Sequence, residues 1–291
     1  MALFSDPRAV ARFKKNRGAL AGLWLVILLL AFALLGPLIA GQDPNLSDFL
    51  HGRGADGRLA GPSGTHWLGV DPLFRDLFSR LAHGARVSLV VAFVATALSI
   101  AIGAVVGILS GYSEGTRWQA LDTVLMRSVD IGLSFPYLVL VMAIGAALGD
   151  TTIVTLLLVL GTTSWFGTAR VVRSKTIQIR SLDFIQAARA LGQSTQSILL
   201  KHVLPNVSGP LIVIGSASVA QMIIAESVLS YLQVGLPPPQ ATWGRMLQEG
   251  QRHYSLTPQL IWLPGSLIFL AVIGFNLLGE GLRDALDPHE D

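Results

Sequence analysis

Five stretches of this sequence carry no charged residue at all: Gly18–Ala40, Val87–Tyr112, Ile131–Gly149, Thr151–Ala169 and Leu260–Gly279. A sixth, Val203–Leu236, carries one, Glu226. About 18 or more consecutive apolar residues are enough to cross a bilayer as a helix. The pattern therefore predicts an all-α polytopic membrane protein with six transmembrane helices. Charged residues make up only 13% of the chain, against about 25% in soluble domains, too few to cover a water-facing surface. The first stretch is longer than the core of a signal peptide and no small-residue cleavage site follows it directly, so it is expected to remain as a span.

Orientation follows from the basic residues. With six spans both termini share a side, and that side carries fourteen Lys and Arg, among them Arg8, Arg12, Lys14, Lys15 and Arg17, whereas the other carries seven. The positive-inside rule puts both termini in the cytoplasm. Residues 1–83 then hold the cytoplasmic tail, the first span and a Gly-, Pro- and Asp-rich external loop, and residues 84–291 a five-helix core.

Within that core, near residues 175–206, the apolar pattern is interrupted by a basic segment, "SLDFIQAARALGQSTQSILLKHVLPN". Asp183 followed by Gln186 predicts a capping-box-like helix start. Phe184, Ala187, Ala188 and Leu191 recur at helical spacing and predict one apolar stripe. Gly192 suits a left-handed helix end, Ser194 a second start, and Pro205 the junction with the next span. Physics alone leaves two readings: a docking helix, or an amphipathic helix lying in the headgroups.

Other residues invite chemistry. Glu226, five residues after Gln221, is an ionisable group at membrane depth, hence a candidate for a transport pathway or for a pair inside the bundle. Arg127 and Asp130, with Asp122 nearby, read as a structural pair near a span end. Gly103, Gly107 and Gly111, four apart, predict a close helix-packing face. Trp67, Trp118, Trp165, Trp243 and Trp262 fall near predicted span ends and read as interface anchors.

Several functions are excluded or disfavoured. The chain has no cysteine, so thiolate metal sites and cysteine nucleophiles are out. Six scattered histidines, His289 the last, show no metal-binding spacing, and the loop acids, including Asp56, lack calcium-loop spacing. A net charge of +3 gives no reason to expect nucleic acid. No phosphate-binding G-x-x-x-x-G-K-[ST] loop exists, so energy must come from another chain or an ion gradient.

The run Gln186-Ala187-Ala188, Gly192, Leu204-Pro205 resembles the EAA loop of binding-protein-dependent ABC importers, with Gln186 at the usual Glu position and His202 at the usual Ile. "THWLGVDPLFRDLFSRLAHGARVSLVVA", "AESVLSYLQVGLPPPQATWGRML" and "FNLLGEGLRDALDP" resemble permeases of the dipeptide/oligopeptide (and nickel) subfamily, and the order and short tail resemble its C-type subunit. The likeness runs from about Ala9 to Pro288. Two departures stand out: Phe74 and Gln233 occupy positions where the family usually has glycine.

The resemblance implies a permease that pairs with a homologous one to form a pathway for peptides across the cell inner membrane. It implies one or two cytoplasmic ABC ATPases that bind ATP and Mg, an external substrate-binding protein, and no cofactor in this chain. It also implies that the insert is the coupling helix: Asp183 and Gln186 shape it, Ala187 and Ala188 allow close packing, Gly192 turns it, Arg189 and Lys201 meet charges on the partner, and Leu204-Pro205 close the motif. The alternatives left by the sequence are an ion-gradient-driven transporter that uses Glu226 and a membrane scaffold.

Overall fold

The computed structural model describes residues 7–54, 57–149 and 151–286, so Asp56, Pro288 and His289 lie outside it. Among the described residues every regular element is helical: α1 Pro7–Lys15, α2 Arg17–Ala40, α3 Leu77–Ser113, α4 Gln119–Ser134, α5 Tyr137–Leu148, α6 Ile153–Thr163, α7 Phe166–Arg180, α8 Asp183–Ala190, α9 Thr195–Ile198, α10 Leu204–Tyr231, α11 Trp243–Gly250 and α12 Gln259–Leu286. Four continuous helices are long and apolar enough to cross a membrane, the third of them formed by α9 running on into α10. Two bent pairs, α4/α5 and α6/α7, raise the number to as many as six.

Charge-free runs reveal composition but not bends. The run 131–149 straddles a 94° turn between α4 and α5, and the run 151–169 a 41° turn between α6 and α7. The first turn has a local cause. Pro136 has no N–H to donate, and it holds Phe135 in an extended conformation, φ −90° and ψ 138°. Helix α4 also begins well before the charge-free run, at Gln119.

Helix α3 is the axis of the molecule. Its 37 residues span about 55 Å at 1.5 Å per residue, more than a hydrocarbon core of about 30 Å, so it projects beyond the bilayer. It starts at Leu77, so a boundary at 83/84 falls inside it, and α2 packs on both α3 and α12. Gly103, Gly107 and Gly111 lie against α7. A Cβ on Gly103 would sit 2.7 Å from Thr168 Cβ, and one on Gly107 2.7 Å from Val172 Cβ. The glycine spacing is thus a backbone-to-helix contact.

Before α3, residues 41–76 form an irregular but tightly held loop. Asp76 caps α3 by accepting from Ser79 N–H at 2.7 Å, and its other oxygen lies 2.9 Å from His66 Nδ1. His66 is buried, with Nε2 3.4 Å from Asp48. The N–H of His51 bonds to Asp48 and draws that carboxyl down to about 2 from 3.8. Arg75 bonds Asp71 at 2.6 Å and Glu249 of α11 at 2.8 Å; Arg80, 0% exposed, sits 3.1 Å from Asp71 and 2.9 Å from Glu249. Arg245 reaches Glu249 at 3.3 Å. This cluster ties the loop, the start of α3 and α11 together. Trp243 belongs to this core rather than to an interface: it is fully buried and its indole N–H donates to Leu81 O at 3.2 Å.

Phe74 and Gln233 both have left-handed backbones, φ 59° and 64°. The usual glycine at each position now has a reason, since left-handed φ costs an L-residue roughly 1–2 kcal/mol. Here Phe74 sets its ring edge-on to Phe49, with centroids 5.6 Å apart.

Candidate functional site

The insert forms at the far end of α3 from the loop. Helix α8 is anchored by Ile185 and Ala188, which join Ile198, Val203, Val207, Val172 and Ile179 in a small apolar cluster separate from the main core. On the other side Phe184, Ala187 and Leu191 face outward, with Leu191 83% exposed. The expected single stripe is therefore split: Ala188 turns inward with the anchors, and the other three form an uncovered apolar face.

The expected capping box does not form. Leu182, not Asp183, occupies the cap position, and no side chain caps the helix. Asp183 lies in the first turn, where a carboxylate favours the helix dipole. Gln186 reaches back past the cap to donate to Arg180 O at 3.2 Å. The C-terminal end follows the expectation closely. Gly192 has φ +78°, its N–H donates to Arg189 O at 2.9 Å, and Gln193 N–H donates to Ala188 O at 3.1 Å, a Schellman end. Ser194 then caps α9 through Ser197 N–H at 3.3 Å.

After α9 the chain does not break before the span. Leu199–Val203 form a π-helical turn, with Leu204 N–H bonded to Leu199 O. Pro205 at the start of α10 cannot donate and crowds the carbonyl four residues back; the wider turn makes room for it. Arg189 stacks its guanidinium 5.1 Å from the Tyr112 ring at the end of α3. Lys201 is exposed and has no ion partner among the described residues. His202 Nε2 lies 3.1 Å from Gln193 Oε1, so the unusual histidine braces the turn.

A second feature lies where both bent pairs turn. A cavity of about 440 Å³ is lined by Gly132 and Tyr137 beside the first bend, by Ser164 and Gly167 beside the second, and by Ser218 and Gln221 on α10. Tyr137 and Ser164 join their hydroxyls at 2.9 Å across the two bends, and Ser164 donates to Leu160 O at 2.7 Å.

Gln221 opens on this cavity; Glu226 does not. Glu226 is 0% exposed, accepts from Ser88 Oγ of α3 at 2.9 Å and from Ser230 Oγ at 2.7 Å, and so joins α10 to α3. The sequence reading as a bundle partner fits its position, and the reading as a lining residue does not. Asp122 and Asp130 also find unexpected partners. Arg173 grips Asp122 with bonds of 2.7 and 2.8 Å while Ser110 donates to it, and Arg170 bonds Asp130 at 2.7 Å with Arg127 3.9 Å away. These pairs join residues 40 and 51 positions apart, beyond the reach of local patterning. Among the described residues no three His, Asp or Glu side chains converge to hold a metal.

Comparison with known proteins is consistent along the chain. Residues 103–290 match the family described as binding-protein-dependent transport system inner membrane component, and residues 8–62 match the N-terminal TM domain of oligopeptide transport permease C. The oligopeptide transport system permease protein OppC of Bacillus subtilis is 34% identical over 99% of this chain and 90% of its own length. The dipeptide transport system permease protein DppC of Alkalihalophilus pseudofirmus is 36% identical over 96% of this chain and 88% of its own. The glutathione transport system permease protein GsiD of Pectobacterium atrosepticum is 36% identical over 95% and 89%. Among solved structures, the inward-facing MetNI methionine ABC transporter superposes with a TM-score of 0.57 at 20% identity, covering 71% of this chain and 96% of that one, which shows the shared fold.

Proposed function

This chain belongs to the binding-protein-dependent transport system inner membrane component family, and from that premise we propose that it is the C-type permease subunit of an ATP-driven importer of peptides. Six spans, counting each bent pair as one, with both termini in the cytoplasm, fit the distribution of basic residues. Neither the family nor the relatives support an ion-gradient mechanism, and the enclosed Glu226 has no opening through which to exchange a proton.

The observation that carries the reading is the insert: a short helix held by two buried anchors, closed by a Schellman end, and presenting Phe184, Ala187 and Leu191 uncovered. A cytoplasmic ATPase that binds ATP and Mg²⁺ supplies the cover. Closure of the ATPases pulls the insert and biases the permease between two states. A homologous permease faces the side on which Arg127, Asp130, Arg170 and Gln221 are exposed, since polar groups on spans avoid lipid. An external binding protein delivers the cargo.

The test is cargo-stimulated ATP hydrolysis by the reconstituted complex. Leu191→Asp places a carboxylate on an exposed position, so it leaves the fold intact while disrupting the contact with the ATPase. Burying an unpaired charge there should lower stimulated hydrolysis at least about tenfold or detach the ATPase. Unchanged coupling in a complex that still assembles would sink the assignment of the insert.

A further inference from the structure

The cavity at the two bends is lined by no Asp, Glu, Lys, Arg or His, so no lining side chain is charged at neutral pH. Its polar groups fall into three sets, of which the first is Thr163 alone, whose hydroxyl donates back to Val159 O at 2.7 Å. The hydroxyls of Tyr137 and Ser164 are bonded to each other and latch the bends. Ser218 and Gln221, three residues apart and so on one face of α10, bond to no described residue. Gln221 is exposed within a span-length apolar helix, where lipid would leave its carboxamide unpaired. Gly167 leaves open space, with nothing within 4 Å of where a Cβ would be. The volume, about 440 Å³, lies within the range of about 300–1,000 Å³ usual for small-ligand sites.

A carboxamide offers two N–H donors and a carbonyl acceptor, the same groups as a peptide bond. It can therefore pair with a main-chain amide in both directions at once. A fixed charge here would instead seize a peptide terminus, and in a low-dielectric site the attraction would be strong enough to hinder release. Transit demands binding that is favourable but weak.

From this geometry we infer that the cavity is a neutral, main-chain-reading site for peptides in transit, with Gln221 and Ser218 as its recognition groups. The inference rests on the importer reading given above. Gln221 pairs with a cargo amide, Ser218 supplies a second hydroxyl contact, and the latched bends hold the wall in place. Neither terminus of the peptide is ion-paired here. Peptides of different sequence and end charge should therefore occupy the site alike.

The absence of cysteine from the chain makes a clean test possible. Gly167→Cys places a reporter thiol in the cavity wall, and Leu50→Cys, 87% exposed in the loop before α3, serves as a water-accessible control of fold and labelling. Labelling by a membrane-impermeant maleimide is followed in the reconstituted complex, with peptide delivered by its binding protein. A peptide with free ends and the same peptide with both ends capped should each slow labelling of Gly167→Cys by about fivefold, the worth of one net hydrogen bond. An analogue methylated at its main-chain nitrogens should not. Gln221→Leu should abolish protection while the Leu50→Cys control labels as before. Protection that survives Gln221→Leu, or that requires free termini, overturns the inference, as does uptake with no protection. A wild-type complex that shows no ATP-driven uptake would instead overturn the importer reading beneath it.

Discussion

The two ends of α3 are held together by opposite means. At the loop end, three arginines and two acids interlock, with Arg80 wholly enclosed, and link residues as far apart as 75 and 249. At the insert end, two buried apolar anchors fix α8 and an apolar face is left bare. A buried ionic cluster tolerates no partial loosening, because each member released leaves another charge unpaired in the interior. An apolar anchor with an open face gives way gradually and accepts a partner. The loop end is tied on every side, and the insert end leaves open the face that the proposed ATPase contact would cover.

The largest effect should come from breaking the ionic end. Glu249→Ala leaves Arg75, Arg80 and Arg245 with Asp71 alone, and removal of one partner from a buried pair costs about 3–5 kcal/mol. Thermal unfolding in detergent should show a large drop in midpoint; a change below about 1 kcal/mol would remove the distinction between the two ends. Next is Glu226, midway between them in character. Glu226→Ala leaves Ser88 and Ser230 without their acceptor and should cost about 1–3 kcal/mol, whereas Glu226→Gln keeps an acceptor and should retain most of the stability. Equal losses for both would show that negative charge, not hydrogen bonding, matters at that site.

At the insert, Gly192→Ala meets no neighbour but adopts an unfavourable left-handed φ, so about 1 kcal/mol is expected. Its effect should appear in coupling to ATP hydrolysis more than in the unfolding midpoint, and the reverse pattern would blur the contrast. The smallest effects should be gains. Gln233→Gly relieves strain at an exposed position and should stabilise by up to about 1 kcal/mol. Phe74→Gly relieves the same strain but loses the Phe49 contact, worth about 0.5–1.5 kcal/mol, so its net change should be near zero.

Much of the insert was legible because its signals are local: a glycine at a left-handed end, a serine at a start, spacing of three and four. Even there the sequence pattern overreached. Asp183 is the kind of residue that caps, yet Leu182 takes the position, and Ala188 belongs with Ile185 rather than with Ala187. The glycines of α3 were legible as a packing face because periodicity alone marks them. The ionic cluster was not, since Arg75 and Glu249 are separated by 174 residues. The second bend was hidden because Trp165 is as apolar as the span it interrupts, whereas the first is marked in the sequence by Pro136, which a count of charge-free residues passes over. Gln221 and Glu226, neighbours in sequence, differ in role because they lie on different faces of α10.

Helix α7 joins the second bend to the insert, and its near-contact with α3 at Gly103 and Gly107 leaves little room for compression. Mechanically that makes it a stiff arm with a pivot at Ser164–Trp165. Its 15 residues extend about 22 Å, so a swing of about 5° at the pivot displaces the insert end by about 2 Å. Read in the other direction, a pull of that size on the insert turns Gly167 about the latched Ser164 and so tilts one part of the cavity wall.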